Sequence, residues 1–164
     1  MPGVEIERKW LVTEPPPDAL AAPSERIEQG YLTIGSDGGE TRLRRRGDRC
    51  SLTVKSGSGL VRAEHEIELT DAQFDALWPA TEGARLVKRR HEVRGAEGHL
   101  IELDVYDDAL RGLIVAEVEF DDPGAATAFA VPDWFGSEVT DDPAYKNQRL
   151  AVTGGGGAPA PSSP

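Results

Sequence analysis

The sequence lacks several features that mark common protein classes. It has a single cysteine, Cys50, so no disulfide can form within the chain and nothing indicates an oxidising compartment. No stretch approaches the roughly 20 apolar residues of a membrane-spanning helix. The first ten residues, MPGVEIERKW, contain neither the basic nor the apolar region of a signal peptide. We therefore expect a soluble, cytoplasmic protein that does not associate with a membrane.

Basic and aromatic residues are also scarce. The 18 Lys and Arg residues are outnumbered by 29 Asp and Glu residues, which gives a formal net charge of −11. A general nucleic-acid binder would carry a basic patch or stripe, so we expect no nucleic-acid partner. A local basic pocket remains compatible with this net charge. Aromatic residues make up only 6% of the chain, which favours a sheet with one apolar face over one large helical core.

What the sequence does contain is a series of short segments in which apolar and polar residues alternate. This period of two is typical of β-strands. Turns that contain glycine separate most of the segments, and such short links favour antiparallel pairing. The sequence therefore predicts a mainly β fold with eight antiparallel strands. The predicted strands are Val4–Val12, Ile27–Ile34, Thr41–Arg46, Cys50–Lys55, Ala63–Leu69, Arg85–Val93, His99–Tyr106 and Ile114–Phe120.

Helix signals are fewer. Capping signatures predict three helix starts, at Thr70 with Gln73, at Asp122-Pro123 and at Asp142-Pro143. The last of these is expected to open a helix over Ala144–Ala151. From residue 153 onward the chain consists of Gly, Ala, Pro and Ser with one Thr, which is not a composition that builds a core. We predict one folded domain over residues 1–152 and a disordered tail over residues 153–164.

Charged residues of like sign line up along the predicted strands, because side chains at i and i+2 point to the same face. A solvated outer face explains such a row in any single strand. Like charges side by side destabilise a sheet unless something compensates them, so the rows together indicate acidic and basic strands that face one another around an enclosed space. The acidic rows are Glu5/Glu7, Glu64/Glu66/Glu68, Glu102/Asp104 and Glu117/Glu119, and the basic rows are Arg42/Arg44/Arg46 and Lys88/Arg90.

These residue types favour phosphoryl chemistry. Carboxylates without Cys or His ligands suit hard cations such as Mg²⁺ or Mn²⁺, and the three histidines show no zinc spacing. Arginines at i and i+2 present guanidinium forks to phosphate oxygens. Metal carboxylates beside a cradle of Arg and Lys are what phosphoryl transfer requires. The phosphate-loop and dinucleotide-binding glycine patterns are both absent, as is any Ser–His or Cys–His nucleophile pair.

The order and spacing of these motifs resemble the CYTH family of triphosphate tunnel metalloenzymes, from Val4 to about Ala151. Glu5-Ile6-Glu7-Arg8-Lys9 resembles the family's opening ExExK, and Lys88-Arg89-Arg90 resembles its Lys-x-Arg. The further matching segments are Gln29-Gly30-Tyr31-Leu32, Arg42-Leu43-Arg44, Leu52-Thr53-Val54-Lys55, the run Arg62, Glu64, Glu66 and Glu68, Glu102-Leu103-Asp104-Val105, Ala116-Glu117-Val118-Glu119 and Tyr145-Lys146-Asn147-Gln148-Arg149-Leu150-Ala151.

The resemblance implies an eight-stranded antiparallel closed tunnel barrel with a few helices packed outside, and it implies roles for particular residues. Mg²⁺ or Mn²⁺ would be held by Glu5, Glu7, Asp104, Glu117 and Glu119. The triphosphate would be bound by Lys9, Arg42, Arg44, Lys55, Lys88, Arg90 and Lys146. In catalysis, Glu64 or Glu66 would orient and deprotonate water, or bind a second metal, while Lys88 and Arg90 would stabilise the charge that develops as the phosphoanhydride opens.

Several functions fit this pattern. Hydrolysis of inorganic tripolyphosphate to pyrophosphate and phosphate is favoured, with thiamine triphosphatase and class IV adenylate cyclase as the enzymatic alternatives. A polyphosphate- or nucleotide-binding module without turnover is an alternative of another class. A plain β-sandwich interaction domain with solvated charges is a third. The expected partner is a small-molecule triphosphate, and the sequence does not distinguish a monomer from a homodimer.

Overall fold

β-Strands dominate the fold, as the alternation of apolar and polar residues predicts. A computed structural model describes residues 6–56 and 63–154. The strands are β1 (Ile6–Leu11), β2 (Ser24–Ile34), β3 (Glu40–Arg46), β4 (Arg49–Ser56), β5 (Ala63–Leu69), β6 (Arg85–Arg94), β7 (Leu100–Tyr106) and β8 (Ile114–Phe120). The helices are α1 (Pro17–Ala21), α2 (Asp71–Leu77), α3 (Pro123–Ala128) and α4 (Asn147–Thr153). All eight predicted strands are confirmed, with β2 extended at its start from Ile27 to Ser24.

All of these strands belong to one antiparallel sheet in the order β1-β8-β7-β6-β2-β3-β4-β5. The prediction of an antiparallel sheet is therefore confirmed, whereas closure of the barrel is not. In the described part of the chain no ladder joins the edge strands β1 and β5. Most side chains of β5 are exposed, as expected for a strand at the edge of the sheet. A single sheet also differs from the two layers of the β-sandwich alternative.

Apolar residues cover the outer face of the sheet. The largest cluster gathers the outward side chains of β1, β7 and β8 around Trp10, whose ring packs against those of Phe129 and Phe135. A second cluster lies under α2, where Phe74 contacts Leu43 and Cys50 and stacks on Trp78. Because alternate side chains point to opposite faces, burial of these residues outside leaves the charged rows on the inner face of the sheet.

One glycine in β2 permits a close approach. A side chain at Gly30 would meet the hydroxyl oxygen of Thr81 at 2.6 Å and the ring of Trp78 at 2.8 Å. The 3₁₀ turn Trp78–Thr81 therefore packs directly on the backbone of β2. This contact fixes the middle of β2, where Gln29 and Tyr31 flank the glycine on the inner face.

The capping signatures at Thr70 and Asp122 are confirmed. Thr70 accepts a hydrogen bond at 3.1 Å from the backbone N–H of Gln73, and the Gln73 side chain accepts one at 2.8 Å from the backbone N–H of Thr70. Asp122 accepts a hydrogen bond at 2.9 Å from the backbone N–H of Ala125, at the start of α3. Both helices begin where the sequence predicts.

The helix predicted over Ala144–Ala151 is wrong in its extent. Asp142 caps only a single 3₁₀ turn, Pro143–Tyr145, and Lys146 is extended with φ −69° and ψ 135°. A residue with that ψ value cannot continue a helix, so α4 begins afresh at Asn147. The interruption leaves the first residues of α4 at the inner face of the sheet, whereas Leu150 and Ala151 pack into a cluster with Tyr31 and Tyr106.

The described chain ends just past α4. Thr153, the first residue of the predicted tail, is the last residue of this helix, and Gly154 follows in the left-handed conformation with φ 58°. The rest of the predicted tail, residues 155–164, lies outside the described residues, as does Glu5. Over residues 6–56 and 63–154, no helix combines the length and apolar character needed to cross a membrane.

Candidate active site

A cavity of about 250 Å³ lies against the inner face of the sheet. Eleven of the fourteen residues predicted for the site line it. Its volume is smaller than the roughly 300–1,000 Å³ of pockets that take drug-sized ligands. The predicted residues in its wall are Glu7, Lys9, Arg42, Arg44, Lys55, Glu64, Glu66, Arg90, Glu117, Glu119 and Lys146. The charged rows of the sequence therefore do face one another.

The basic wall is formed mainly by β3 and β4. Arg42 is buried and lies 3.6 Å from Glu40, while its Nε has no hydrogen-bond partner in the described structure. A buried donor without a partner is costly, so this N–H is a donor that a bound anion would satisfy. Lys55 lies 3.7 Å from Glu64, and Glu66 accepts a hydrogen bond at 2.8 Å from the hydroxyl of Thr53.

Arg44 lies beside Arg42 and is held differently. Its Nε donates a hydrogen bond at 3.0 Å to the side-chain oxygen of Gln29, which is fully buried beneath the cavity. Burial and the charges of Arg42 and Arg90 lower the pKa of Arg44 to about 10. Arg44 therefore remains a cation at neutral pH, in a position where an anion in the cavity would stabilise its charge.

The acidic wall comes from β1, β7 and β8. Register pairs Glu7 with Glu119 and Glu102 with Glu117, so like charges lie directly opposite each other. Glu7 and Glu117 are in hydrogen-bond contact. Burial alone would raise the pKa of Glu117, but that hydrogen bond and the charges of Lys9 and Arg90 lower it to about 2. Two carboxyls in contact require a shared proton or a cation between them.

The acidic wall offers oxygen ligands of the kind that hard cations prefer. Burial raises the pKa of Glu102, with Arg90 opposing this effect. Within residues 6–56 and 63–154, no group of three or more Asp, Glu, His or Cys side chains is arranged as a ready metal site. The residue types therefore fit Mg²⁺ or Mn²⁺, and the contact between Glu7 and Glu117 fits a cation, while metal binding itself stays a prediction.

Two predicted site residues lie beneath the cavity and do not line it. The Asp104 carboxylate accepts a hydrogen bond from Lys88 at 2.7 Å and two from Arg90 at 2.7 and 2.8 Å. Lys88 and Asp104 are only 0% and 1% exposed in their side chains. Both oxygens of Asp104 are therefore occupied by cationic side chains of the protein. Neither residue is placed where the predicted contact with metal or substrate would be direct.

This buried group has strongly shifted acidities. Burial would raise the pKa of Asp104, but the charges of Arg90 and Lys88 lower it well below its usual 3.8. Burial lowers the pKa of Lys88 to about 8, although Asp104 opposes the shift. Arg90, which also forms an ion pair with Glu102, lines the cavity above this pair. Asp104 and Lys88 thus orient the Arg90 guanidinium from beneath the cavity.

Five residues of the cavity wall had no role assigned from the sequence: Tyr31, Glu40, Glu102, Asn147 and Gln148. Of these, Glu102 lies in one of the predicted acidic rows. Tyr31 lies two residues after Gln29 and so shares the inner face with it, which the spacing in the sequence could have predicted. Asn147 and Gln148 reach the cavity because the helix breaks at Lys146, which no residue pattern indicates. Asn147 is held there by a 2.6 Å hydrogen bond from the Tyr106 hydroxyl, and Lys9 donates at 3.3 Å to the Tyr145 carbonyl.

Known proteins resemble this chain closely. It is 48% identical over 149 residues to a protein named inorganic triphosphatase from Nitrosomonas europaea, with 91% of this chain and 97% of that protein covered. It is 35% identical over 152 residues to an inorganic triphosphatase from Acetivibrio thermocellus, with 90% and 93% covered. A crystal structure of an inorganic triphosphatase matches it with a TM-score of 0.72 at 44% identity, over 90% of this chain and 94% of that one. No protein-family model matches the chain.

Proposed function

The chain belongs to the inorganic triphosphatase family, and on that premise we propose that it hydrolyses inorganic tripolyphosphate to pyrophosphate and orthophosphate. It is thus a hydrolase that acts on phosphoanhydride bonds. The observation that carries the proposal is the small cavity in which a basic wall on β3 and β4 faces an acidic wall on β1 and β8. The ExExK and Lys-x-Arg motifs support the further proposal that the chain is a CYTH-type triphosphate tunnel metalloenzyme.

The basic wall supports binding of a compact polyanion. Arg42, Arg44 and Arg90 present guanidinium groups to the cavity, with Lys9, Lys55 and Lys146 around them. Guanidinium forks match the geometry of phosphate oxygens. Thiamine or adenosine triphosphate would need additional room and stacking surfaces, and among the described lining residues Tyr31 is the single aromatic. These features favour the inorganic substrate over thiamine triphosphatase or cyclase activity.

The acidic wall supports binding of a divalent cation. We assign Glu7, Glu117 and Glu119 to Mg²⁺ or Mn²⁺, together with Glu5, which lies outside the described residues. The contact between the Glu7 and Glu117 carboxyls supports this assignment, since a cation between them would take the place of the shared proton. When bound, the metal would neutralise phosphate charge and polarise the phosphoryl oxygens.

The side chains of the chain itself have three tasks in this proposal. Arg90 stabilises the negative charge that develops as the phosphoanhydride opens, which is positioned electrostatic catalysis. Glu66, oriented by Thr53, or its neighbour Glu64 accepts the proton of the attacking water. Lys88 was predicted to bind substrate and to stabilise charge in catalysis, and Asp104 was predicted to bind metal. In this proposal both act instead from below, by holding Arg90 in place. No covalent intermediate is required.

Three further properties stay predictions of the sequence: a cytoplasmic location, a monomeric or homodimeric state, and the lack of a nucleic-acid partner. A polyphosphate-binding module without turnover is disfavoured, because the similar proteins above are named as enzymes.

The test is phosphate release from tripolyphosphate, ATP and thiamine triphosphate at equal concentrations, with Mg²⁺ or Mn²⁺ and again with a chelator. We expect tripolyphosphate to be hydrolysed fastest and the chelator to abolish the reaction. Faster release from ATP or thiamine triphosphate would favour the enzymatic alternatives. Tight binding of tripolyphosphate with no release from any substrate would favour a binding module.

A further inference from the structure

Gln29 lies where it touches two residues of the cavity wall without reaching the cavity itself. Its side chain is fully buried in the middle of β2. Its oxygen accepts a hydrogen bond at 3.0 Å from Arg44 Nε, and its nitrogen donates one at 2.6 Å to the hydroxyl oxygen of Tyr31. Arg44 and Tyr31 both line the cavity, whereas Gln29 does not.

The orientation of the amide follows from chemistry. A guanidinium can only donate hydrogen bonds, so the amide oxygen must face Arg44. The amide nitrogen must then face Tyr31, and the Tyr31 oxygen accepts its hydrogen bond. Burial, with a contribution from Glu40, raises the pKa of Tyr31 to about 12, so its hydroxyl is protonated at neutral pH. The Tyr31 proton is consequently left for an acceptor on the side away from Gln29.

Neutrality is the second property of Gln29. Arg90 is paired with Asp104, and Arg46 is paired with Glu25 and Glu92. Arg44 forms no ion pair with any carboxylate in the described ranges, and Arg42 and Arg90 repel it more strongly than Asp104 attracts it. An amide therefore fixes the guanidinium of Arg44 without compensating its charge.

We propose that Gln29 is a positioning residue that orients Arg44 and Tyr31 with a neutral amide, so that both the Arg44 charge and the Tyr31 hydroxyl proton are directed to the triphosphate. This inference rests on the proposed function of the cavity. It adds Tyr31 as a hydrogen-bond donor to the bound phosphate chain. It also explains why a buried, uncharged polar residue lies among so many charged ones.

The substitution Gln29→Glu separates positioning from neutrality, because the two side chains have nearly the same shape. A carboxylate would accept from both Arg44 and Tyr31, so it would compensate the charge and turn the Tyr31 proton inward. The ion pair with Arg44 should offset the cost of burying the new carboxylate, so the melting temperature should stay near that of the wild type. Loss of a donor and of an uncompensated charge should lower kcat/KM for tripolyphosphate by about 10²-fold.

A double-mutant cycle tests the route through Tyr31. Tyr31→Phe removes the hydroxyl, so Gln29→Glu should cost clearly less in the Tyr31→Phe background than in the wild type. Gln73→Glu is the matched control, since Gln73 is exposed and glutamate is equally suited to its capping box. This control should retain wild-type kcat/KM and melting temperature.

A second variant covers the case in which Gln29→Glu fails to fold. Gln29→Met keeps the side-chain length, removes both hydrogen bonds and adds no charge, and it should raise KM and lower kcat. Wild-type kcat/KM in either folded Gln29 variant, or fully additive losses with Tyr31→Phe, would overturn the inference. The proposed function is tested separately by hydrolysis in the wild type, and calorimetric affinity for tripolyphosphate reports on Gln29 even without turnover.

Discussion

The carboxylate of Asp104 holds the guanidinium of Arg90 from beneath the cavity, through hydrogen bonds of 2.7 Å to Nε and 2.8 Å to a terminal nitrogen. Lys88 completes the buried group with a third hydrogen bond to the same carboxylate. A bidentate pair of this kind fixes both the direction and the distance of the guanidinium. The position of Arg90 in the cavity wall is therefore supported from below by Asp104 and Lys88, in addition to its ion pair with Glu102 in the wall itself.

Removal of the Asp104 charge should destabilise the fold. Asp104→Asn leaves Lys88 and Arg90 buried with less compensation, and breaking a buried pair in this way typically costs about 3–5 kcal/mol. The double variant Asp104→Asn, Lys88→Met removes the buried cation as well and should recover part of the loss. Urea unfolding measures both values. Equal free energies of unfolding for Asp104→Asn and the wild type would contradict the account of the buried group.

The same variant separates two roles for Asp104. If Asp104 acts by holding Arg90, Asp104→Asn should raise KM and lower kcat for tripolyphosphate, while the Mg²⁺ concentration for half-maximal activity stays near that of the wild type. If Asp104 is a metal ligand, as the sequence predicts, the required Mg²⁺ concentration should rise by about tenfold or more. Titration of Mg²⁺ at saturating tripolyphosphate distinguishes the two outcomes.

Stability should fall in acid, and Asp104 should contribute to the fall. Its pKa in the folded protein lies well below the usual 3.8, because Arg90 and Lys88 outweigh the effect of burial. As the pH drops through about 4, the unfolded chain binds a proton that the folded chain does not, so unfolding becomes more favourable. Melting temperatures between about pH 5 and pH 2.5 should fall less steeply in Asp104→Asn. Parallel curves for the two proteins would show that Asp104 makes no such contribution.

Lys146 lies at the cavity with an exposed side chain, at the break before α4. Exposed charges contribute about 0.2–1 kcal/mol, so Lys146→Ala should raise KM by at most about fivefold and leave kcat unchanged. The effect should shrink as salt is added. Arg149→Ala, in the adjoining helix α4 and outside the cavity wall, serves as the control. A large drop in kcat for Lys146→Ala alone would indicate a direct part in the chemistry.

The strands could be predicted from the sequence because alternation with a period of two is a local property. The alternation of side chains along β6 and β7 also correctly predicted that Lys88 and Asp104 lie on the inner face. The sequence did not predict that they lie beneath the cavity, since this depends on which side chains meet across β6 and β7. Asp104 pairs with Arg90 because the register sets these two residues directly opposite each other.

Closure of the sheet and the helix break could not be predicted from the sequence, because both depend on tertiary packing. Whether β1 meets β5 depends on how far the sheet curls, and no single segment encodes that angle. The break at Lys146 places Tyr145 in the core, with only 2% of its surface exposed. The tertiary gain from burying this ring competes with helix propensity, which the sequence favoured at Ala144–Ala151.

The most direct test of the account compares phosphate release from tripolyphosphate with Mg²⁺ for the wild type, Arg42→Gln and Arg111→Gln. Arg42 is buried in the cavity wall with an unpartnered Nε, whereas Arg111 is exposed and pairs with Asp107 outside this cavity. The account predicts rapid release by the wild type and by Arg111→Gln, within about twofold of each other. It predicts a loss of about 10²-fold in kcat/KM for Arg42→Gln. No release by the wild type, or equal activity in the two variants, would contradict it.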